Sequence, residues 1–211
     1  ASSLFLPQTS TAGNLHLEPV TVLRSSHIYS PKSVIFSKDG TKFYVNALEG
    51  QETLVFDTQT LAMRSVIRHA FTEEDQHLFL NNENTLFDYQ YNTCRGTGDR
   101  NVFSGKPVEC TFTHDGDYLW VTYYRRTCDQ NASSPSAVAV IDTKTDQIVR
   151  VLPTAPLPKM VTASAAANRV AVTHWGDNTI GLLSIDQADP ATFAYERLLT
   201  VGKRLDVRNI R

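Results

Sequence analysis

The side chains with the most chemical capacity in this 211-residue chain fall in three short stretches. Tyr123-Tyr124-Arg125-Arg126 joins flat aromatic surface to two guanidinium forks, a composition suited to protein or glycan contact. His174-Trp175, followed closely by Asp177 and Asn178, sets an imidazole beside an indole. Such a pair can hold a ring, a cation or a metal. Lys32 and Lys159 each follow a proline, and two amines at matching positions would draw an anion. Glu109 occupies the same neighbourhood after Pro107. Each stretch also has a purely structural explanation: packed aromatics, a hydrogen-bonded histidine, solvated lysines and arginines.

Several other chemistries have no support. There is no Gly-x-Ser-x-Gly and no phosphate-cradling glycine loop, since Gly96-Thr-Gly98 does not open a helical pattern. His16, His27, His69 and His77 form no spaced ligand set, so no metal is assigned, and the cofactor stays unknown. Asp129-Gln130-Asn131 alternates oxygen side chains but lacks the rest of a calcium loop. Asn131-Ala132-Ser133 matches a glycosylation acceptor, relevant only in a eukaryotic secretory setting. Net charge is −2, with no basic stripe, which argues against nucleic acid. No apolar run approaches the roughly 18 residues that span a membrane.

The elements that must position these groups repeat. Pro31–Asp57, Pro107–Asp142 and Pro158–Ile185 share one frame. It runs proline, apolar strand, tight turn, apolar strand, polar loop, then a third apolar strand. The turns include Lys38-Asp39-Gly40 and His114-Asp115-Gly116, where glycine can take positive φ. A fourth strand follows each time, giving blades over about 31–68, 107–152 and 158–201. Pro19–Arg24 reads as an extra strand after an extended lead-in over 1–18. Residues 69–106 fit the frame poorly. There a hairpin of Leu78–Leu80 with Thr85–Tyr91 is expected, then a long loop over 92–106. No helix of ten or more residues is expected, so the fold class is all-β: four-stranded antiparallel blades of a β-propeller.

At Tyr44-Val45-Asn46, Trp120-Val121-Thr122 and Ala171-Val172-Thr173, the second strand ends in a recurring Val then Asn-or-Thr. Together with Ser37-Lys38-Asp39-Gly40, Thr113-His114-Asp115-Gly116, Asp177-Asn178-Thr179 and Val140-Ile141-Asp142, this resembles the YVTN-repeat β-propeller family, over about residues 31–68 and 107–201. The resemblance implies a fold and not one reaction. Propellers of related repeat type include dehydrogenase subunits and lactonase-like hydrolases, so an enzyme is the alternative to a binding or interaction module. The sequence departs from the family wording at Ser164–Asn168 and across 69–106.

Three blades cannot close a ring, which takes four to eight. The expectation is therefore the N-terminal part of a larger ring of about seven blades, completed by a second polypeptide or by further chain. Blade geometry puts the loops at 47–52, 92–106, 125–135 and 174–178 on one face. That face is the expected ligand- or partner-binding surface, carrying every candidate residue named above. Cys94 and Cys128 both fall in its long inserts and could pair as a disulfide, or remain two free thiols. Cys110 alternates with Val108 and Phe112 and reads as a small buried residue. The start, ASSLFLPQTS, is what a mature periplasmic or secreted chain would show after cleavage, or simply a trimmed terminus.

Overall fold

The computed structural model describes residues 23–79 and 103–203. Within them the chain is all-β, arranged as three antiparallel sheets. The first sheet is β1 (Pro31–Phe36), β2 (Lys42–Ala47), β3 (Glu52–Asp57) and β4 (Met63–Arg68), paired in that order. A short β5 (Ala70–Phe71) adds to the inner edge of the second sheet. That sheet continues with β6 (Phe103–Thr113), β7 (Tyr118–Arg126), β8 (Ser136–Asp142) and β9 (Gln147–Thr154). The third is β10 (Pro158–Ser164), β11 (Arg169–His174), β12 (Thr179–Ser184) and β13 (Ala194–Thr200). Each sheet is one propeller blade, and the innermost strands β1, β6 and β10 lie side by side.

Local chemistry explains the turns. Gly40 and Gly116 take φ of +69° and +102° in the β1–β2 and β6–β7 hairpins. In the third blade Asn168 does the same work at +49°, a region asparagine tolerates. The aspartates ending β3 and β8 cap the next turn. Asp57 Oδ1 accepts from the N–H groups of Gln59 and Thr60 at 2.9 and 2.8 Å. Asp142 Oδ1 accepts from Lys144 and Thr145 at 2.7 and 3.2 Å.

Two stretches differ from expectation. Residues 73–79 form a 3-10 turn, so Leu78 is not in a strand; Leu78 and Phe79 instead tuck into the core beside Phe71 and Phe103. Leu80 and Thr85–Tyr91 lie outside the described residues, as do 1–18 and the first four residues of the expected Pro19–Arg24 strand. Leu23 and Arg24 are not in a strand. The inner strand β6 also begins earlier than the sequence suggests, because Ser104 pairs back onto Ala70.

The described core is two aromatic-rich seams between blades and a smaller cluster of Val45, Ala47, Leu54 and Phe56 in the first blade. Tyr44, Val55 and Ile67 of the first blade pack against Leu119, Val121 and Tyr123 of the second. Trp120, Val138, Val140 and Leu152 pack against Val170, Val172, Leu183 and Tyr195 of the third. Gly105 has no side chain because an added Cβ would stand 2.3 Å from the Tyr123 ring.

A buried polar chain stitches the first seam. The Tyr123 hydroxyl lies 2.9 Å from His69 Nδ1, and His69 Nε2 lies 2.7 Å from Thr53 Oγ1. Thr53 donates to Asn46 Oδ1 (2.6 Å), Asn46 to Ser33 Oγ (2.9 Å), and Ser33 to the Val108 carbonyl (2.5 Å). Because the Thr53 proton is committed to Asn46, Thr53 must accept from His69 Nε2–H. That leaves Nδ1 to accept from Tyr123, so His69 is neutral.

Burial pushes the His69 pKa down to about 3, against an ordinary value of 6.5. Between those values the unfolded chain binds a proton that the folded chain refuses, so stability falls as pH drops through this window. Lowering the pH from 7 to 5 should cost the native protein about 2 kcal/mol through this group alone, at ~1.4 kcal/mol per pH unit once below 6.5. His69→Gln should lose that part of the dependence. Urea midpoints at the two pH values check this, and an equal drop in both proteins would refute it.

Candidate functional site

On one face of the blades sit the loops that lead into the inner strands and those that join the second and third strands. The latter are 48–51, 127–135 and 175–178. The register shows why these loops hold their shape. Pro31, Pro107 and Pro158 pair with Ala47, Tyr123 and His174, and each inner strand shifts register just after its proline. The Asn or Thr ending the Val-Asn/Thr pattern spans that irregularity. Asn46 Nδ2 reaches Ser33, Thr122 Oγ1 accepts from Glu109 N–H at 3.4 Å, and Thr173 Oγ1 accepts from Met160 N–H at 3.0 Å.

The candidate residues separate into a solvent-facing set and a buried set. Lys32 is exposed, Lys159, Tyr124, Glu109, Arg125 and Asn178 are half-buried, and Trp175 is 64% exposed. The Lys159 ammonium stands 5.1 Å from the Tyr124 ring centroid, a cation–π pair bridging the second and third blades. Trp175, Lys159, Thr173, Ile180 and Val201 line a cavity of about 450 Å³ with mainly apolar walls.

Tyr123, Arg126, His174 and Asp177 are buried, with His174 lining the cavity beside Trp175. Their work is local. His174 Nδ1 lies 2.9 Å from Thr179 Oγ1, which donates to Asp177 Oδ1 at 2.6 Å. The His174 Nδ1–H therefore donates to Thr179, and the trio fixes the hairpin that presents Trp175. Arg125 likewise turns inward, donating to the carbonyls of Thr127 and Asp129, both at 3.1 Å. Asp129 caps Ser133 and Ser134, which accounts for its place in the 127–135 insert without calcium. Asn178 donates to the carbonyls of Val201 and Lys203 and ties the hairpin to the end of the third blade.

One pair at this face was invisible in the sequence. Lys106 is buried and makes an ion pair with the exposed Glu49, linking the start of β6 to the β2–β3 loop. Its partner lies in another blade, and no local spacing signals it. Among the described residues no group of three or more His, Cys, Asp or Glu side chains could hold a metal. No described helix is long and apolar enough to cross a membrane. Cys110 is a half-buried free thiol whose pKa burial raises to about 11, which keeps it protonated at neutral pH. Cys128 is disulfide-bonded; Cys94 lies outside the described residues.

No family model matches the chain, and no curated protein matches it in sequence. Solved structures do. A putative 6-phosphogluconolactonase from Bacteroides fragilis is similar at a TM-score of 0.56 and 17% identity, over 84% of this chain and 41% of its own. The periplasmic gluconolactonase of Pseudomonas aeruginosa is similar at 0.53 and 15%, over 83% and 41%. The WD40 repeats of RRP9 are similar at a TM-score of 0.54 and 10% identity, over 87% and 42%. These likenesses show a β-propeller fold. The chain spans about two fifths of the length of each of them.

The protein has two tryptophans, Trp120 fully buried and Trp175 mostly exposed. Acrylamide should therefore quench one emitting component strongly and the other weakly. Trp175→Phe should remove the quenchable one and change stability by less than about 0.5 kcal/mol. A quenchable component that survives the substitution would place Trp175 wrongly.

Proposed function

We propose that the chain is part of an extracytoplasmic β-propeller of the YVTN-repeat type that works as a binding module, with the loop face as its binding surface. The observation that carries this is the juxtaposition of Lys159, held over Tyr124, with the exposed indole of Trp175 on the walls of one cavity. A flat apolar ring beside a cation suits a ligand with a carbon-hydrogen face and a negative group, and an acidic saccharide has both. Lys32 adds positive charge at the equivalent strand start of the first blade.

A periplasmic or secreted location is supported by the disulfide-bonded Cys128, since such bonds persist in oxidising compartments. Pairing of Cys128 with Cys94 belongs to this reading. So does completion of the ring by further blades, on a second polypeptide in a hetero-oligomer or on further chain. The gluconolactonase similarity leaves hydrolysis as the alternative activity, and oxidoreduction with an added cofactor was the other expectation. Beside the cavity the arrangement favours binding, because His174 is buried and Asp177 accepts from Thr179.

The test is a titration with oligogalacturonate followed by tryptophan emission. Saturable change is expected in the native protein, abolished by Trp175→Ala and weakened about tenfold by Lys159→Ala, the loss of one charge-assisted contact. No emission change up to 10-millimolar-order ligand, roughly the weak limit of a specific site, would reject the reading.

A further inference from the structure

The insert between β7 and β8 carries a motif that the cavity does not use, Cys128-Asp129-Gln130-Asn131-Ala132-Ser133. The base of this insert is firmly held. Ser136 is buried and donates to the Tyr123 carbonyl at 2.7 Å, and Cys128 is disulfide-bonded. Arg125 donates to the Thr127 and Asp129 carbonyls. Two turns then follow one another, with Asp129 N–H on the Arg126 carbonyl and Ala132 N–H on the Asp129 carbonyl, each at 3.1 Å.

The tip is built differently. Residues 127–135 lie outside every strand, so the insert can bend without breaking a ladder. Ala132 is buried at a φ of +52°, and the chain folds over its methyl group. Asn131 and Ser133, on either side of it, are both exposed. Among the described residues no hydrogen bond engages the Asn131 carboxamide. The Ser133 hydroxyl has one distant partner, Asp129 Oδ1 at 3.5 Å. An asparagine in a turn ordinarily spends its side chain on the neighbouring backbone. Here that work falls to Asp129, which accepts from the N–H groups of Ser133 and Ser134 at 3.2 and 2.9 Å. The amide is left to solvent.

Asn131-Ala132-Ser133 is the one Asn-x-Ser/Thr triplet in the chain, and both of its recognised side chains are presented on a surface loop. Asp129 widens the setting in which it can be read. Bacterial oligosaccharyltransferases take the same triplet when an acidic side chain stands two residues before the asparagine, as Asp129 does. The compartment agrees, because a disulfide at Cys128 belongs to the oxidising side of a membrane, where such transfer takes place.

We propose that Asn131 is an N-glycosylation site that receives an oligosaccharide from a polyprenyl diphosphate carrier. Asn131 Nδ2 attacks the anomeric carbon. The C–N bond forms as the C–O bond to the diphosphate breaks, the diphosphate leaves with the electron pair, and the amide proton passes to a base of the transferase. The Ser133 hydroxyl is the group that the transferase recognises two residues on. The glycan stands on the loop face, over the insert that holds Cys128. Transfer there rests on the extracytoplasmic location proposed above, and not on the saccharide ligand.

The test is peptide mass spectrometry on protein isolated from its own cells, with free thiols blocked before reduction and the remainder labelled after it. Trypsin frees residues 127–144 as one peptide holding both Cys128 and Asn131. That peptide should carry added saccharide mass, placed on Asn131 by fragmentation. Asn131→Gln and Ser133→Ala should each lose the added mass completely and Ser133→Thr should keep it, with Trp120 emission reporting that the fold persists. Asp129→Asn separates the two sources of the same chemistry: a bacterial transferase loses the site, whereas a eukaryotic secretory one keeps it. Asp129→Glu should keep the site with either. A bare peptide would overturn the proposal, as would mass placed on Ser133 or Ser134, or mass that survives Ser133→Ala. A bare peptide with Cys128 disulfide-bonded would sink the glycosylation alone, and one with a free Cys128 thiol would sink the extracytoplasmic reading with it.

Discussion

A blade of four apolar strands has two faces to bury, and only another blade matches its twist and width. Everything else in this chain follows from that constraint. The first seam shows how apolar contact alone is made specific. The polar chain from Tyr123 through His69, Thr53, Asn46 and Ser33 ends on the Val108 carbonyl, and every donor in it has one acceptor. Broken anywhere, it would leave a buried polar atom unpaired, which costs more than the bond itself contributes. The chain therefore selects one sliding register of blade against blade, where a purely apolar seam would tolerate several.

A second clamp acts on the opposite face. Asp146 gathers Lys42 at 2.7 Å, the Tyr44 hydroxyl at 3.0 Å and Ser65 at 3.2 Å. Burial, and then the Asp146 charge, push the Tyr44 pKa up, so the phenol stays a donor. The seam is thus pinned at both ends, with Tyr44, Val55 and Leu119 packed between. At the second seam stacked rings take a larger share: Phe193 lies against Trp120 at 5.4 Å and against His114 at 5.3 Å.

Local pattern made the blades legible in the sequence. The Asp-Gly turns, the strand-ending aspartates and the prolines each reflect a constraint within a few residues, where sequence reasoning is strong. The recurring Val-Asn/Thr was legible as a motif but not as a mechanism, because its partners are a register shift in its own blade and a carbonyl in the next. The site was half legible. Trp175, Lys159 and Tyr124 lie at one face as their loop positions implied. Tyr123, Arg126 and His174 are buried at strand ends, where alternation does not say which neighbour waits, and Asp177 is drawn in by Thr179 across its own hairpin. Lys106 with Glu49, and His69 with Tyr123, join residues more than fifty positions apart, beyond any local signal.

The same reasoning separates what drifts from what is held. Position by position, the seam-facing residues change size: Tyr44 meets Phe112, Trp120 stacks on Phe193 in a cluster that also takes in the small Ala163, and the third blade has Ala171. The polar position at the end of the second strand does not change character, being Asn46, Thr122 or Thr173. Packing volume can be redistributed between two faces at little cost if the total is kept. A hydrogen bond to a fixed backbone carbonyl cannot be redistributed, since only a short polar side chain at that one place can reach it. The motif marks the stitch and not the ligand, which is why a sequence can carry the repeat plainly while its binding chemistry is written in the loops between.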